Sequence, residues 1–357
     1  MASQRRNHYI PRFLLNGFCS RREGRKRWIW QFPKGEQPRE ISTRDAAVRA
    51  WFYGKRDSRI EDDLARLEDS ASRAIDAIRG GADCSGYTEV LQVFTGLLAF
   101  RTRALRDHFI DVGVDLMDRF AESAADGNME RAVKHSLAVE LDTHLEEARR
   151  RLPPEFRETL DAILAQPHGR EILRGGIMAE LEAVGIAGLM RSTLGRSAVS
   201  QTLSGSVVDG QLRGIQKLLS SGEGPASFAP SVWQTLRCPE PRFVLGDCCV
   251  VAQDGAGSFG LLPRFGNTWT QLFLPISSSV VVVASRDTML RIPTFEVINR
   301  ASAELSHAYI YSCEDSKTSR ELATRIGIGE PFIAKDDIEG LIADVWRDLG
   351  ADPSDTS

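Results

Sequence analysis

Apolar positions along the chain follow two different periods, and the change between them divides the molecule. From Arg59 onward, Ile60, Leu64, Leu67, Ala71, Ile75 and Ile78 recur at spacings of three and four, which predicts an amphipathic helix ended by Gly80-Gly81. Residues 87–121 read as a second long helical stretch. There Val90, Leu91, Val93, Phe94, Leu97, Leu98 and Phe100 are apolar nearly all round, the mark of a central helix, and Arg101, Arg103 and Arg106 follow. Residues 128–151 and 155–165 are helical but more charged, with Pro153-Pro154 between them, and 170–191 and 206–220 continue the pattern. Upstream, the residue before Pro11 is pushed away from helix, so Asn7–Ile10 should be extended and Pro11–Phe18 a short helix. Arg27–Phe32 reads as a strand ended by Pro33-Lys34-Gly35. Ser42-Thr43-Arg44-Asp45 looks like an N-cap for a short helix over Ala46–Ala50, and Trp51-Phe52-Tyr53 like a packing cluster.

Ser220–Pro230, rich in Ser, Gly and Pro, is the expected linker. Beyond it, Phe243–Leu245, Gln271–Leu274, Val280–Ala284 and Ala308–Tyr311 read as strands. Phe295–Ser306 should be a helix, as should 316–326 and 335–349, and Asp352–Ser357 is expected to be disordered. The fold class implied is α+β, predominantly helical, with a small mixed or antiparallel sheet formed by N-terminal and C-terminal strands. Three regions follow: a basic segment over 1–58, a helical region over 59–220 and an α/β region over 231–350, which an N-terminal strand joined to the C-terminal ones would make one intertwined domain.

Charge changes this picture at one end. Net charge is −4 over 357 residues, yet residues 1–60 hold 15 Lys or Arg against 5 Asp or Glu. Such asymmetry fits either an anionic partner or a basic segment packed on the acidic body. No apolar run reaches the ~20 residues of a membrane helix, so no membrane partner is expected. Arg12 and Asn16 interrupt the only apolar stretch near the N-terminus, which argues against a signal peptide and for the cytoplasm. The cysteines Cys19, Cys84, Cys238, Cys248, Cys249 and Cys313 show no C-x-x-C spacing, so reduced, mostly buried thiols are expected rather than a zinc site.

Spaced landmarks add a resemblance. Asn7-His8-Tyr9-Ile10-Pro11 with Phe13, Leu14 and Phe18, the aromatics ending at Tyr53, Ile60-Glu61 with Glu68, and Phe94–Arg101 with Arg106 occur in an order that resembles the Domain of Unknown Function 4238 family, which is mainly bacterial. Phe243–Asp247, Leu274–Ser277 and Ile298-Asn299 resemble its later blocks, with Cys248-Cys249 where that family usually carries a proline soon after the aspartate. The resemblance implies no activity.

The polar landmarks that could carry catalysis are His8, Glu61, Arg101, Asp247 and Asn299, with Glu68 beside them. A histidine can exchange protons at neutral pH, carboxylates can bind a divalent metal through oxygen, and an arginine fork can hold a phosphate. Together they would suit phosphodiester hydrolysis, with or without metal. The same residues have structural readings: His8 bonding a carbonyl, a buried Glu61–Arg101 pair bridging two helices, Asp247 closing a turn. Nucleophile-elbow, Walker A and H-E-x-x-H patterns are absent from the sequence. His108, His135, His144 and His168 are expected to face solvent, His307 is a reserve candidate beside a strand, and Cys248 and Cys249 should point to opposite strand faces. Arg21, Arg22, Arg25, Lys26 and Arg27, flanked by Trp28 and Trp30, suit a nucleic-acid surface or a basic hairpin whose tryptophans serve the core. Two functions therefore stand open: a nuclease-like hydrolase, such as a defence or toxin effector, and a non-enzymatic binding or regulatory protein with a basic anion-binding surface.

Overall fold

Strands occupy the two ends of the chain and helices the middle, as the periods predict. The computed structural model describes residues 6–50, 52, 58–184, 196–221, 230–289, 291–329 and 335–351. The strands are β1 (Arg6–His8), β2 (Arg21–Glu23), β3 (Lys26–Pro33), β4 (Arg39–Ser42), β5 (Val48–Ala50), β6 (Val232–Arg237), β7 (Leu245–Gly246), β8 (Val251–Asp254), β9 (Phe259–Gly260), β10 (Trp269–Ser277), β11 (Val280–Ser285) and β12 (Tyr309–Ser312). The helices are α1 (Arg12–Leu15), α2 (Ser58–Arg79), α3 (Thr88–Arg101), α4 (Arg103–Ser123), α5 (Met129–Val139), α6 (Leu141–Arg151), α7 (Pro154–Leu164), α8 (Gly169–Val184), α9 (Arg196–Ser221), α10 (Leu262–Phe265), α11 (Phe295–Glu304), α12 (Lys317–Ala323) and α13 (Lys335–Asp348). Helix takes 55% of the chain and antiparallel strand 18%, an α+β protein with helix dominant.

The chain forms two compact units, one of residues 1–112 with 204–333 and one of 113–203 with 334–357. The first holds every strand found among the described residues. One sheet runs β6-β11-β10-β8-β9; another runs β2-β3-β12-β7, with β4 also on β3; β1 pairs with β5. The expected union of N-terminal and C-terminal strands is real: Phe32 faces Ile310 and Trp30 faces Ser312 in the β3–β12 ladder. Every residue of β11 is buried, which explains its unbroken run of valines. Helix α3 is buried around most of its girth, and Leu91, Phe94, Leu97 and Leu98 join Leu14, Phe18, Ile75 and Phe273 in the main core. In the second unit Leu141, Leu145 and Leu160 form a small core of their own, and Phe120 stacks on the buried Trp346 with ring centroids 4.6 Å apart.

Some local expectations are corrected. Ala46–Ala50 is turn and strand, not helix: Ala47 takes φ 50°, outside the helical well, and Val48–Ala50 pairs with Arg6–His8. The helix expected over 87–121 breaks at Thr102, whose ψ of 152° is extended. At the break the Gln211 side-chain amide donates to the carbonyls of Phe100 and Thr102 at 2.7 and 3.3 Å, and the Thr102 carbonyl also accepts from the Arg106 N–H at 3.4 Å. Strands β4, β6, β8 and β9 arise where none was expected. The linker expected at Ser220–Pro230, the tail Asp352–Ser357, the end of the helix expected over 170–191, and Trp51 and Tyr53 fall wholly or mostly outside the described residues. Phe52 of that aromatic cluster is buried.

Gly246 marks the tightest approach near Asp247. A Cβ there would lie 2.6 Å from the Ser302 carbonyl oxygen and closer still to the Ser306 hydroxyl. The Ser302 backbone cannot yield without displacing α11, so Gly246→Ala should lower unfolding free energy by about 1–3 kcal/mol, read from the shift in urea midpoint.

Candidate functional site

The first cluster forms around the opening motif. β1 delivers His8 half-buried, and Tyr9 and Ile10 go directly into the core. The His8 carbonyl accepts a hydrogen bond from Nη2 of Arg101 at 2.6 Å, and Nη1 of the same guanidinium pairs with the Glu68 carboxylate. Arg101 is 3% exposed and sits in the last turn of α3, where its charge also complements the helix dipole. Among the described residues Arg101 thus bridges to Glu68 on α2; the side chain of Glu61, the partner expected from the sequence, lies outside them. The His8 imidazole bonds the Ala46 backbone. Burial depresses its pKa below the ordinary 6.5, aided by the Arg101 and Arg12 charges and opposed by the Ala46 hydrogen bond and Glu68. Tyr9 is tied in by a hydroxyl hydrogen bond to Tyr311.

Asp247 and Asn299 lie elsewhere and serve the backbone. Asp247 is fully buried, and its carboxylate accepts the N–H groups of His307, Ala308 and Tyr309 at 2.8, 2.9 and 3.1 Å. Burial raises its pKa, while those three donors act the other way by favouring the anion. Asn299, on α11, accepts from the Val244 N–H at 3.1 Å and donates to the Arg242 carbonyl at 2.7 Å, so it clips that helix to the segment before β7. Cys248 and Cys249 sit in a turn rather than a strand, with Cys249 at φ 58°, and both are buried, in different core clusters. A proline ring could not take that φ at Cys249. Burial pushes the Cys248 thiol up to about 12, and all six cysteines are free thiols.

A second cluster was not legible as one. His307, just before β12, brings Nε2 within 3.6 Å of Asp107 and Nδ1 within 4.0 Å of Asp111 on α4. Its ring meets that of His108 edge-on, with centroids 5.6 Å apart. Arg103 donates to Asp107 at 2.7 Å, and Arg49 approaches the same carboxylate at 3.6 Å. His108 is half-buried rather than solvent-facing, and burial, followed by the His307 charge, depresses its pKa. His135, His144 and His168 are exposed as expected. Arg103 and Asp107 stand four apart on α4, but Arg49 and His307 share no local spacing with them, so only the β5–α4–β12 arrangement reveals the set. Among the described residues, no group of three or more His, Cys, Asp or Glu is placed to hold a metal ion.

The basic segment forms a β2–β3 hairpin, with Arg21 opposite Trp28 and Glu23 opposite Lys26. Arg21, Arg22, Arg25 and Lys26 are exposed and Arg27 half-exposed. Arg21 pairs with Glu40 at 2.8 Å and covers the Trp28 ring at 4.5 Å. Trp30 packs toward Phe32, Val244 and Ile310.

The sequence profile of a family described as protein of unknown function, DUF4238, matches residues 6–202, and the chain belongs to that family. That stretch contains the opening motif, Glu68, Arg101 and the hairpin, while Asp247, Asn299 and His307 lie beyond it. No curated protein and no solved structure matches.

The two depressed histidines have a stability consequence. Folding holds His8 and His108 below their unfolded value of 6.5, so their neutral forms support the fold above that pH. This contribution should be lost as pH falls from about 6.5 through the folded values. Urea unfolding at stepped pH should show a slope in that window, and His8→Gln and His108→Gln should each flatten it.

Proposed function

We propose that this chain is a binding or regulatory protein that holds an anionic polymer, nucleic acid foremost, on its β2–β3 hairpin. The observation that carries this reading is the exposure of the hairpin cations. Among the described residues, no ion pair of Arg22, Arg25, Lys26 or Arg27 is found, whereas Arg21 is neutralised by Glu40 and Glu23. With Trp30 turned to the core and Trp28 covered by Arg21, the hairpin offers charge rather than bare ring faces. Contact would therefore run to phosphates and discriminate little among bases. The binding reading also accords with Arg101, Asp247 and Asn299, whose polar atoms serve internal hydrogen bonds. Fluorescence anisotropy with labelled DNA and RNA oligonucleotides tests it. Replacing Arg22, Arg25 and Lys26 together with Glu should weaken binding about tenfold or more and shrink the log–log salt slope by roughly 2–3. His8→Ala should leave binding unchanged. An unaltered salt slope in the triple variant would remove the hairpin from the interface.

A second reading, a hydrolase acting on nucleic acid, is favoured by the imidazole pair. His108, held toward its neutral form by burial, suits a general base; His307, facing Asp107 and Asp111, suits the partner acid. Arg103 and Arg49 stand beside them as phosphate-binding groups. If this reading holds, His108→Gln and His307→Gln should each slow cleavage of labelled RNA or DNA by about 10²-fold or more, with a parallel His8→Gln variant testing the opening motif. Absence of cleavage by the unaltered protein, with and without added divalent cations, would leave binding alone.

A further inference from the structure

The two faces of the β2–β3 hairpin differ in charge. Successive strand residues point to opposite faces, and residues directly opposite across a strand pair share one. Arg21 with Trp28, and Glu23 with Lys26, therefore occupy one face. There the charges are matched: Arg21 pairs with Glu23 at 3.2 Å and with Glu40 at 2.8 Å, and Lys26 stands across from Glu23. The other face carries the remaining pair, Arg22 opposite Arg27. Ile29 continues that face and is buried in the main core, so the two arginines lie where the face leaves the core, Arg22 exposed and Arg27 half-exposed.

Like charges directly opposite across a strand pair are destabilising. Among the described residues, neither guanidinium has an ion pair or a side-chain hydrogen bond to offset this. A further cation, Arg79 at the end of α2, acts on Arg27 electrostatically, and its own carboxylate partner is Asp76 at 3.0 Å. The Cα atoms of such an opposed pair are about 4.5–5.5 Å apart, so both forks can close on one small group. A Cβ on Gly24, at the hairpin tip, would meet nothing within 4 Å, and β2 is the last strand of its sheet. The pair is thus open to approach from the tip and from the edge. Two planar forks side by side suit the oxygens of a phosphate, and their two positive charges decide which phosphate. A phosphodiester inside a nucleic-acid strand carries one negative charge, whereas a phosphomonoester carries about 1.5–2 at pH 7. We propose that Arg22 and Arg27 form a clamp for the terminal phosphate of a nucleic-acid strand, with Arg25 and Lys26 left to the diesters that follow it. The clamp rests on the polyanion reading of the hairpin and gives it a preference for the end of a strand over its middle.

The test is fluorescence anisotropy of one internally labelled single-stranded oligonucleotide in three forms: 5′-phosphorylated, 3′-phosphorylated, and with hydroxyls at both ends. At matched ionic strength, one phosphorylated form should bind the full chain about tenfold more tightly than the hydroxyl form. Arg22→Gln and Arg27→Gln should each bring that ratio close to unity. Arg25→Gln combined with Lys26→Gln should weaken all three forms together and preserve it. Equal affinity of the three forms for the unaltered protein would overturn end recognition while leaving hairpin binding in place. A ratio that survives both Arg22→Gln and Arg27→Gln would take the terminal phosphate away from the clamp. Inorganic phosphate reads the clamp apart from any polymer. At slightly alkaline pH, where it is a dianion, it should raise the thermal midpoint of the unaltered protein more than that of Arg22→Gln or Arg27→Gln. Absence of all oligonucleotide binding with that difference retained would overturn the polyanion reading and the strand end, leaving a phosphate site. No difference in midpoint together with equal affinities would overturn the site itself.

Discussion

The buried carboxylate of Asp247 is the constraint on which the strand-bearing unit depends. It lies wholly out of water and gathers three successive N–H groups at the start of β12, while its own N–H donates to the Tyr309 carbonyl at 3.0 Å. A carboxyl group so placed is tolerable only with its hydrogen bonds made. Any displacement of β12 along β7 would therefore strand it. β12 in turn pairs with β3, so the register of the N-terminal strand is referred back to one side chain far along the sequence. Asn299 repeats the device on a smaller scale by satisfying one N–H and one carbonyl of the segment leading into β7.

The Arg101 cluster ties the other side of the same unit. Its guanidinium joins α3, the backbone of β1 and the Glu68 side chain of α2. The opening His-Tyr-x-Pro motif thus has a physical account that needs no substrate: the His8 carbonyl receives a cation, its ring holds Ala46, Tyr9 reaches Tyr311, and Pro11 starts α1. By contrast, Arg22, Arg25, Lys26 and Arg27 of the hairpin have no ion pair among the described residues, and the only paired imidazoles among the described ring contacts are His108 and His307. Landmarks of the sequence and exposed chemistry are largely different residues.

Much of the fold was legible because burial imposes a period. Ile60 to Ile78 had to be α2, and the all-valine run had to be an inner strand, since each follows the spacing of one buried surface or of two. β4 and β6 escaped notice for the converse reason. No residue of β4 is fully buried and only Trp233 of β6 is, so neither leaves an alternating imprint. The helix proposed over Ala46–Ala50 failed because a cap-like Ser-Thr-Arg-Asp also suits a turn, and pairing with β1 decided between them. Of the candidate site residues, Arg101 does bridge two helices, through Glu68, while the side chain of the expected partner Glu61 lies outside the described residues. The His108–His307 meeting was invisible, because a contact between a helix and the start of a distant strand has no counterpart in local spacing.

The hairpin has a consequence of a different kind. β2 is the outermost strand of its sheet, three residues long, and every one of them is charged and exposed. An open strand edge is a template on which another chain can add itself, and short length with dense charge is a way natural proteins deny that addition. The charges on which the proposed polyanion contact rests thus also guard the molecule against self-assembly. That guard is electrostatic, and dissolved ions would weaken it over distances of about 10 Å.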